Sequence, residues 1–243
     1  MTSTSADPAG AGGNGAGGGR TLAVLQPGYL PWLGFFDLQR RADVFVYYDD
    51  VQFDKHGWRN RNRIKSPSGP HWLTVPVRHH GLHKPRIVDI EIDDRVAWGR
   101  RHLGTIRQFY AAAPHLERYL PDLEALLRAP WERLVDLDLA VAGQLAAWLG
   151  IRTTIERSSN LAIEGERSER LVRICERFGA DRYLSGAAAR AYLDVRLFAA
   201  RGIEVVWQDY AHPVYAQQHG DFVPYLSALD LLLNCGDGSA AIL

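Results

Sequence analysis

The chain has 243 residues, 47% of them hydrophobic, and its 28 basic side chains balance 28 acidic ones. That composition can build the core of one large α/β domain, and a formal net charge of +0 gives no global field to draw in DNA, RNA or an anionic membrane. Two cysteines make neither a disulfide framework nor a four-cysteine zinc site, no apolar run reaches spanning length and the N-terminus lacks an apolar signal core, so the reducing cytoplasm is the expected compartment.

Residues 1–20, rich in Gly, Ala and Ser, cannot bury enough surface to fix a conformation and are expected to be a disordered tail ahead of a single domain at 21–243. Leu22 to Leu25 reads as a strand that stops at Gln26-Pro27. Pro31 to Arg41 reads as a loop and helix, with Trp32, Phe35, Phe36 and Leu38 on a buried face and Pro31 in the first turn. Val44 to Tyr48 reads as a second strand, and so compact a strand–helix–strand unit implies parallel neighbours. Both strands exit on polar residues, Gln26 and then Asp49-Asp50. The carboxyl ends of parallel strands open on one crevice, so Gln26, Asp49 and Asp50 are expected to line a common pocket, with Tyr29 pointing into it.

The next stretch, VQFDKHGWRNRNRIKS, is dense in donors: Gln52, Arg59, Asn60, Arg61, Asn62 and Arg63. Such forks suit phosphate or carboxylate ligands, and equally the solvated face of an edge hairpin. HWLTVPV and RIVDIEI read as strands and Pro67-Ser68-Gly69-Pro70 as a turn, giving an antiparallel excursion from Trp58 to Ile92. His79, His80 and His83 fall inside it; with no cysteine or HExxH beside them, a substrate-contacting loop or surface turn is expected and no metal is assigned. Residues 95–150 read as structural helices broken at Pro114, Pro121 and Pro130, the best running from Trp131 to Leu149.

The last hundred or so residues alternate: strand Ile151–Glu156, a helix capped by Ser168 that buries Leu171, Val172, Cys175 and Phe178, strand Arg182–Leu184, helix Tyr192–Ala200, strand Ile203–Trp207, and a final helix Tyr225–Leu233. This βαβαβ order continues a parallel sheet and sends Ser158-Ser159, Ser185-Gly186 and Gln208-Asp209-Tyr210 to the edge that carries Gln26 and Asp49. The expected fold is therefore α/β: a mostly parallel Rossmann-like sheet flanked by helices, with an antiparallel β excursion.

In AHPVYAQQHGDF, His212 and His219 are the candidate general acids or bases, beside Tyr210, Tyr215 and Gln217. Asp49 or Asp50 is expected to orient such an imidazole or to bind a substrate amine or hydroxyl. Cys175 lies on a buried stripe and Cys235 has no base beside it, so no thiol nucleophile is expected. There is no GxSxG elbow, no P-loop and no GxGxxG after a strand, so no cofactor is expected.

The segments LQPGYLPWLGFFD, DVFVYYDDVQFDKHGWRNRNRIK, HWLTVPV, RYLSG and HPVYAQQHGDFVPYLSALDLLLNCG together resemble the WbqC-like protein family, over Leu22 to Gly236. The resemblance implies a role in O-antigen, other surface-polysaccharide or natural-product biosynthesis, with amide-forming or acyl-transfer chemistry such as aminoacylation of an amino sugar. The matching polar positions are Gln26, Tyr29, Asp49, Asp50, Gln52, Asn60, Asn62, Gln208, His212, Tyr215, Gln217 and His219.

The expected function is a biosynthetic transferase in which a substrate amine attacks an activated carbonyl, such as a thioester, without a covalent enzyme intermediate. His212 or His219 takes the proton, and Arg59, Asn60 and Asn62 bind a phosphate, carboxylate or developing oxyanion. Ser185, Gln208 and Tyr210 complete the substrate-binding set. A carrier protein bearing phosphopantetheine is a candidate partner for the small-molecule substrate, and oligomeric state is left open. An ATP-dependent ligase or nucleotidyl transferase of α/β type, and a non-catalytic assembly protein of a biosynthetic complex, are the alternatives.

Overall fold

The computed structural model describes residues 19–55, 57–78, 81 and 83–243. The expected tail, up to residue 18, and the expectations for His79 and His80 lie outside the described residues.

β1 (Thr21–Leu25) leads through a loop to α1 (Leu33–Arg41) and β2 (Val44–Tyr47), and these begin a five-stranded sheet. An excursion follows. β3 (Arg61–Ser66) and β4 (Gly69–Thr74) form an antiparallel hairpin, and the short β5 (Val77–Arg78) and β6 (Glu91–Ile92) form another. Gly69 sits at φ +102 in the first of these turns, a conformation that a side chain would oppose. Then come α2 (Trp98–Phe109), α3 (Leu116–Arg128) and α4 (Leu134–Trp148). The chain returns to the sheet as β7 (Thr154–Arg157), α5 (Arg167–Arg177), β8 (Arg182–Gly186), α6 (Val195–Ala199) and β9 (Glu204–Gln208), and ends in α7 (Ala228–Cys235) and α8 (Ser239–Ile242).

The large sheet runs β7-β2-β1-β8-β9 and every pairing in it is parallel. The mixed α/β fold with antiparallel excursions is therefore as the sequence predicts. β1 and β2 are continuous apolar runs because helices cover both of their faces. Alternation divides their side chains between two cores. Leu22, Val24, Val44 and Val46 pack with Val172, Cys175 and Tyr183 on the α5 face. Ala23, Leu25, Phe45 and Tyr47 pack with Phe35, Leu137 and Leu229 on the opposite face, under α1, α4 and α7. From β1 the chain winds one way, to β2 and β7, then returns to the far side of β1 as β8 and β9. The winding thus reverses between β1 and β8, where open parallel sheets bind ligands.

Several local expectations are corrected. Pro121 does not break a helix but lies inside α3. Burial of Leu116, Tyr119, Leu120, Leu123 and Leu127 on one stripe, at roughly 1.5–3 kcal/mol for a fully buried large side chain, offsets the lost backbone bond of about 3 kcal/mol. Ser168 is not a cap: α5 already starts at Arg167, and the Ser168 Oγ accepts from the Asp194 N–H at 2.9 Å. The expected helix Tyr192–Ala200 is shorter, α6 at Val195–Ala199, because Asp194 caps it by accepting from the Arg196 N–H, and a 3-10 turn at Ala187–Ala191 precedes it. α7 starts three residues later than expected, at Ala228, because Ser227 caps it. Cys175 is buried and its thiol is pushed up to about 12 by burial. Among the described residues no helix is long and apolar enough to cross a membrane.

Candidate functional site

Gln26 follows β1 directly and lines two cavities, one on each face of the sheet. On the α1 face a cavity of about 440 Å³ is walled by Tyr29, Trp32, Phe35, Trp58 and Tyr225, with Arg59, Asn62 and Arg63 as its charged and amide groups. On the α5 face a cavity of about 580 Å³ is walled by Val24, Tyr48, Leu171, Tyr183, Tyr192 and Leu193. A larger groove of about 680 Å³ lies between β6 and the ends of α2 and α3, away from this edge, and its Arg78 is already paired with Asp94.

The first cavity exists because the loop after β1 is stitched to the β3 region. Tyr29 N–H donates to the Arg59 carbonyl (3.0 Å), the Arg59 Nη1 to the Pro27 carbonyl (2.6 Å), and the Asn62 Nδ2 to the Leu30 carbonyl (2.7 Å). Gly28 allows this approach, since a Cβ there would stand 2.8 Å from the Trp58 carbonyl oxygen. The stitching leaves the Nε atoms of Arg59 and Arg63 buried without a hydrogen-bond partner. Burial pulls the Arg59 guanidinium down from its ordinary value, while Asp138 and Asp54 push it back up. Trp32 meets Tyr210 edge-on at 5.3 Å and Tyr225 at 5.7 Å. Tyr225, half exposed at the wall, has a left-handed backbone at φ +59; strain of this kind in a non-glycine residue concentrates at functional sites.

Behind the cavity lies a polar layer that sequence reasoning missed. The Tyr29 phenol meets the His102 Nδ1 at 2.9 Å, and burial lowers His102 to about 4, so the imidazole is neutral. The Thr74 backbone opposes this lowering only in part. Asp138 is fully buried on α4, neither carboxyl oxygen has a partner, and burial raises its pKa well above the usual carboxylate range. A signal was available: Asp138 shares its stripe with Leu134, Val141 and Ala142, and His102 shares its own with Trp98 and Ile106. A titratable residue at such a position is the exception that calls for explanation.

The structure distributes the other expected site residues. Asp49 and Asp50 sit together, but neither lines a cavity beside Gln26, so the expectation of one common pocket is corrected. The exit of β7 lies next to that of β2 and supplies the partners: Asp49 accepts from Arg157 (2.7 Å) and from the Ser159 N–H (2.9 Å) and Oγ (2.8 Å), and Asp50 from Ser158 (2.6 Å) and Arg170. Burial would raise the Asp50 carboxyl, but the bonds from Arg170 and Ser158 prevail and leave it below its ordinary value. Ser185 is buried and bonded to Tyr183. Gln208 turns inward, donating to the Gly34 carbonyl and to Asp37, both at 2.8 Å. Asn60 holds the Val75 carbonyl (2.8 Å) and keeps a buried, unpartnered Oδ1. Gln52 is exposed, in a shallow groove with His83.

The segment after β9 folds back toward the first cavity. His212 packs among Tyr210, Tyr215, Phe222 and Tyr225, its ring 5.2 Å from that of Tyr225. Its Nδ1 meets the Pro213 carbonyl at 2.9 Å, its Nε2 is buried without a partner, and burial lowers its pKa. Tyr215 and Gln217 instead bond Asp230, at 2.9 and 2.8 Å, in a buried network that includes Tyr110 and Lys65. His219 is exposed and its Nε2 meets the Phe109 carbonyl at 2.6 Å. The two aspartates thus stand on the β2–β7 flank, whereas His212 stands with Tyr225 beyond the other flank.

No solved structure matches this chain. The chain is 36% identical over 219 residues to the "Uncharacterized protein Rv1507c" of Mycobacterium tuberculosis (strain ATCC 25618 / H37Rv), a similarity that covers 89% of this chain and 94% of that protein. The model of the WbqC-like protein family matches residues 26–242, a span that starts on the glutamine shared by both cavities and ends within α8, and the chain belongs to that family.

Proposed function

We propose that this protein is a biosynthetic transferase that forms an amide between a substrate amine and an activated acyl or aminoacyl group, at the sheet edge marked by Gln26. The supporting observation is the first cavity: two buried guanidinium Nε atoms without partners, beside aromatic walls, at the reversal point of a parallel sheet. Arg59 and Arg63 hold a carboxylate or phosphate of one reactant, and Trp32, Trp58 and Tyr225 pack against its body. The amine nitrogen attacks the carbonyl carbon of a thioester; the N–C bond forms, the C–S bond breaks, and the thiolate leaves to take up a proton. The proton lost from the amine passes to His212, which burial keeps in its basic form and whose Nε2 is uncommitted. His219, already engaged with a backbone carbonyl, is the weaker candidate. Asp49 and Asp50 stabilise the edge through their ion pairs rather than contacting substrate.

The test uses hydroxylamine and amino sugars as acceptors with a panel of acyl and aminoacyl N-acetylcysteamine thioesters, the amide being detected by mass spectrometry. His212→Gln is expected to lower turnover by roughly 100-fold or more, the usual contribution of a general base. Amide formation that requires ATP would replace this reading with a ligase. Turnover unchanged in both His212→Gln and Gln26→Ala would remove the proposed site.

A further inference from the structure

We infer that the outer face of the β3–β4 hairpin, at the mouth of the first cavity, binds a nucleoside diphosphate: the base lies against Trp58 and Trp72, the phosphates meet Arg61 and Arg63, and the group they carry enters the cavity toward Gln26. The inference rests on the reading of that cavity as the substrate site and adds the chemical class that delivers a reactant to it. A nucleotide-linked sugar amine and a coenzyme A thioester share this chemistry. The first support is charge. From Lys55 to Val88 the sequence holds eight Lys and Arg side chains and no Asp or Glu, in a chain whose net charge is +0. An anion therefore meets a local positive field on this excursion that the chain as a whole does not offer.

The second support is geometry. Alternation puts Arg61 and Arg63 on one face of β3, and the register sets Trp72 opposite Arg63. Trp58 leans onto the same face, its ring 5.1 Å from that of Trp72 and tilted by 35°. The Arg61 Cζ lies 4.6 Å from the Trp72 ring centre, and the Arg63 Cζ lies 5.3 Å from Trp58 and 5.7 Å from Trp72. A guanidinium over a ring keeps its N–H bonds in its own plane, so the contact fixes the cation and leaves its rim to an anion. Two guanidiniums over one indole suit adjacent phosphates better than a single carboxylate. The two tryptophans stay 43% and 42% exposed, an aromatic area that a flat base covers. Trp58 and Arg63 also wall the first cavity whereas Arg61 and Trp72 do not, so the face continues outward from the mouth and one extended ligand spans both. Arg63 has no ion pair among the described residues, and its Nε is buried without a partner. A nucleic-acid strand needs a longer cationic track, but Arg78 is paired with Asp94 and Arg86 with Asp89.

The experiment is calorimetric titration of the full chain with UDP, ADP, uridine, inorganic pyrophosphate and a short oligothymidylate. Both nucleoside diphosphates are expected to bind roughly tenfold or more tighter than uridine, which lacks the phosphates, and than pyrophosphate, which lacks the ring. Coenzyme A and UDP-N-acetylglucosamine distinguish the two sources: whichever binds tighter than its parent diphosphate is the reactant whose attached group the cavity holds. Trp72→Ala and Arg61→Gln, both outside the cavity wall, are each expected to weaken ADP roughly tenfold. Trp72→Tyr keeps a ring on the hairpin and is expected to retain most of the affinity, which separates stacking from a loss of folding. Pyrophosphate binding as tight as ADP, oligothymidylate binding tighter than UDP, or ADP affinity untouched by both Trp72→Ala and Arg61→Gln overturns the inference. The two readings separate cleanly. Nucleoside diphosphate binding without any amide product keeps this site and discards the transfer, and amide formation from N-acetylcysteamine thioesters without nucleotide binding does the opposite.

Discussion

The substitution Asp138→Asn asks whether the buried carboxyl behind Arg59 is neutral or charged. Asp138 is fully buried with both oxygens unpartnered, and burial raises its pKa well above the ordinary carboxylate value, Arg59 opposing this only in part. The native state then keeps a proton that the unfolded chain releases above its pKa of about 3.9. An acid whose folded pKa is raised is least costly at low pH, and its cost grows as pH rises toward the folded value. Between the unfolded and the folded value each pH unit removes about 1.4 kcal/mol, so the wild type weakens through this residue as pH rises. Asparagine cannot release the proton. Its advantage over wild type should therefore widen as pH rises, each kcal/mol showing as roughly 2–4 °C in Tm for a chain of this size.

The assay is thermal unfolding of both proteins at pH 5.5, 6.5 and 7.5. If Asp138 were instead ionised and paired with Arg59, Asp138→Asn would strand a buried guanidinium and cost about 3–5 kcal/mol at every pH. A variant less stable than wild type by a constant margin would refute the neutral carboxyl. The outcome bears on function, because a neutral Asp138 leaves the charge of Arg59 available to an anionic reactant, and an ionised one would compete for it.

Three further outcomes follow from the same kind of reasoning. His102 falls from an ordinary 6.5 to about 4, so the stability it contributes is intact above about pH 6.5 and is lost as pH falls toward 4; by urea unfolding the loss should reach about 3 kcal/mol, with a shallower acid limb in His102→Gln. Arg170→Gln removes the donors to Asp50 and to the Ile163 carbonyl. It should cost about 3 kcal/mol and speed hydrogen exchange in α5 well before α1, with uniform exchange counting against a local role. Lys65→Met removes the donor to Gln217 and to the Gly220 and Asp221 carbonyls; it should cost about 1–3 kcal/mol and open residues 217–221 to limited proteolysis, and an unchanged digest would show the clasp to be dispensable.

The parallel sheet was legible because its strands are short apolar runs that stop at polar residues, and because helical spacing separates them. Gln26 and Tyr29, expected at the strand exit, and Arg59 and Asn62, expected from a donor-dense stretch, all line the first cavity. Trp32 and Phe35 look alike in sequence and both wall the first cavity, yet Phe35 is buried in the core while Trp32 is only half-buried and faces Tyr225. The fate of Asp49 was legible only in part: the sequence sends Ser158-Ser159 to its edge, but not as the partners that occupy its carboxylate. Its partners Arg157 and Ser159 lie more than a hundred residues away, and local pattern cannot show that β7 will pair with β2. Gln208 and Gln217 failed differently. Each looked like a ligand-facing amide, but each satisfies a buried carboxylate, Asp37 or Asp230, that reads in sequence as ordinary helix polarity.

That a glutamine should border two cavities follows from how the chain leaves β1. A direct turn into α1 would close the first face, as tight strand–helix turns in such sheets do. Residues 27–31 instead detour outward to bond the backbone around Arg59 and Asn62, and α1 starts only at Leu33. On the other face α5 starts late as well, after the turn that follows β7, and only its first turn reaches the edge, through Arg167, Ser168 and Leu171. Neither helix seals the end of β1, so the strand at the reversal point is open on both sides.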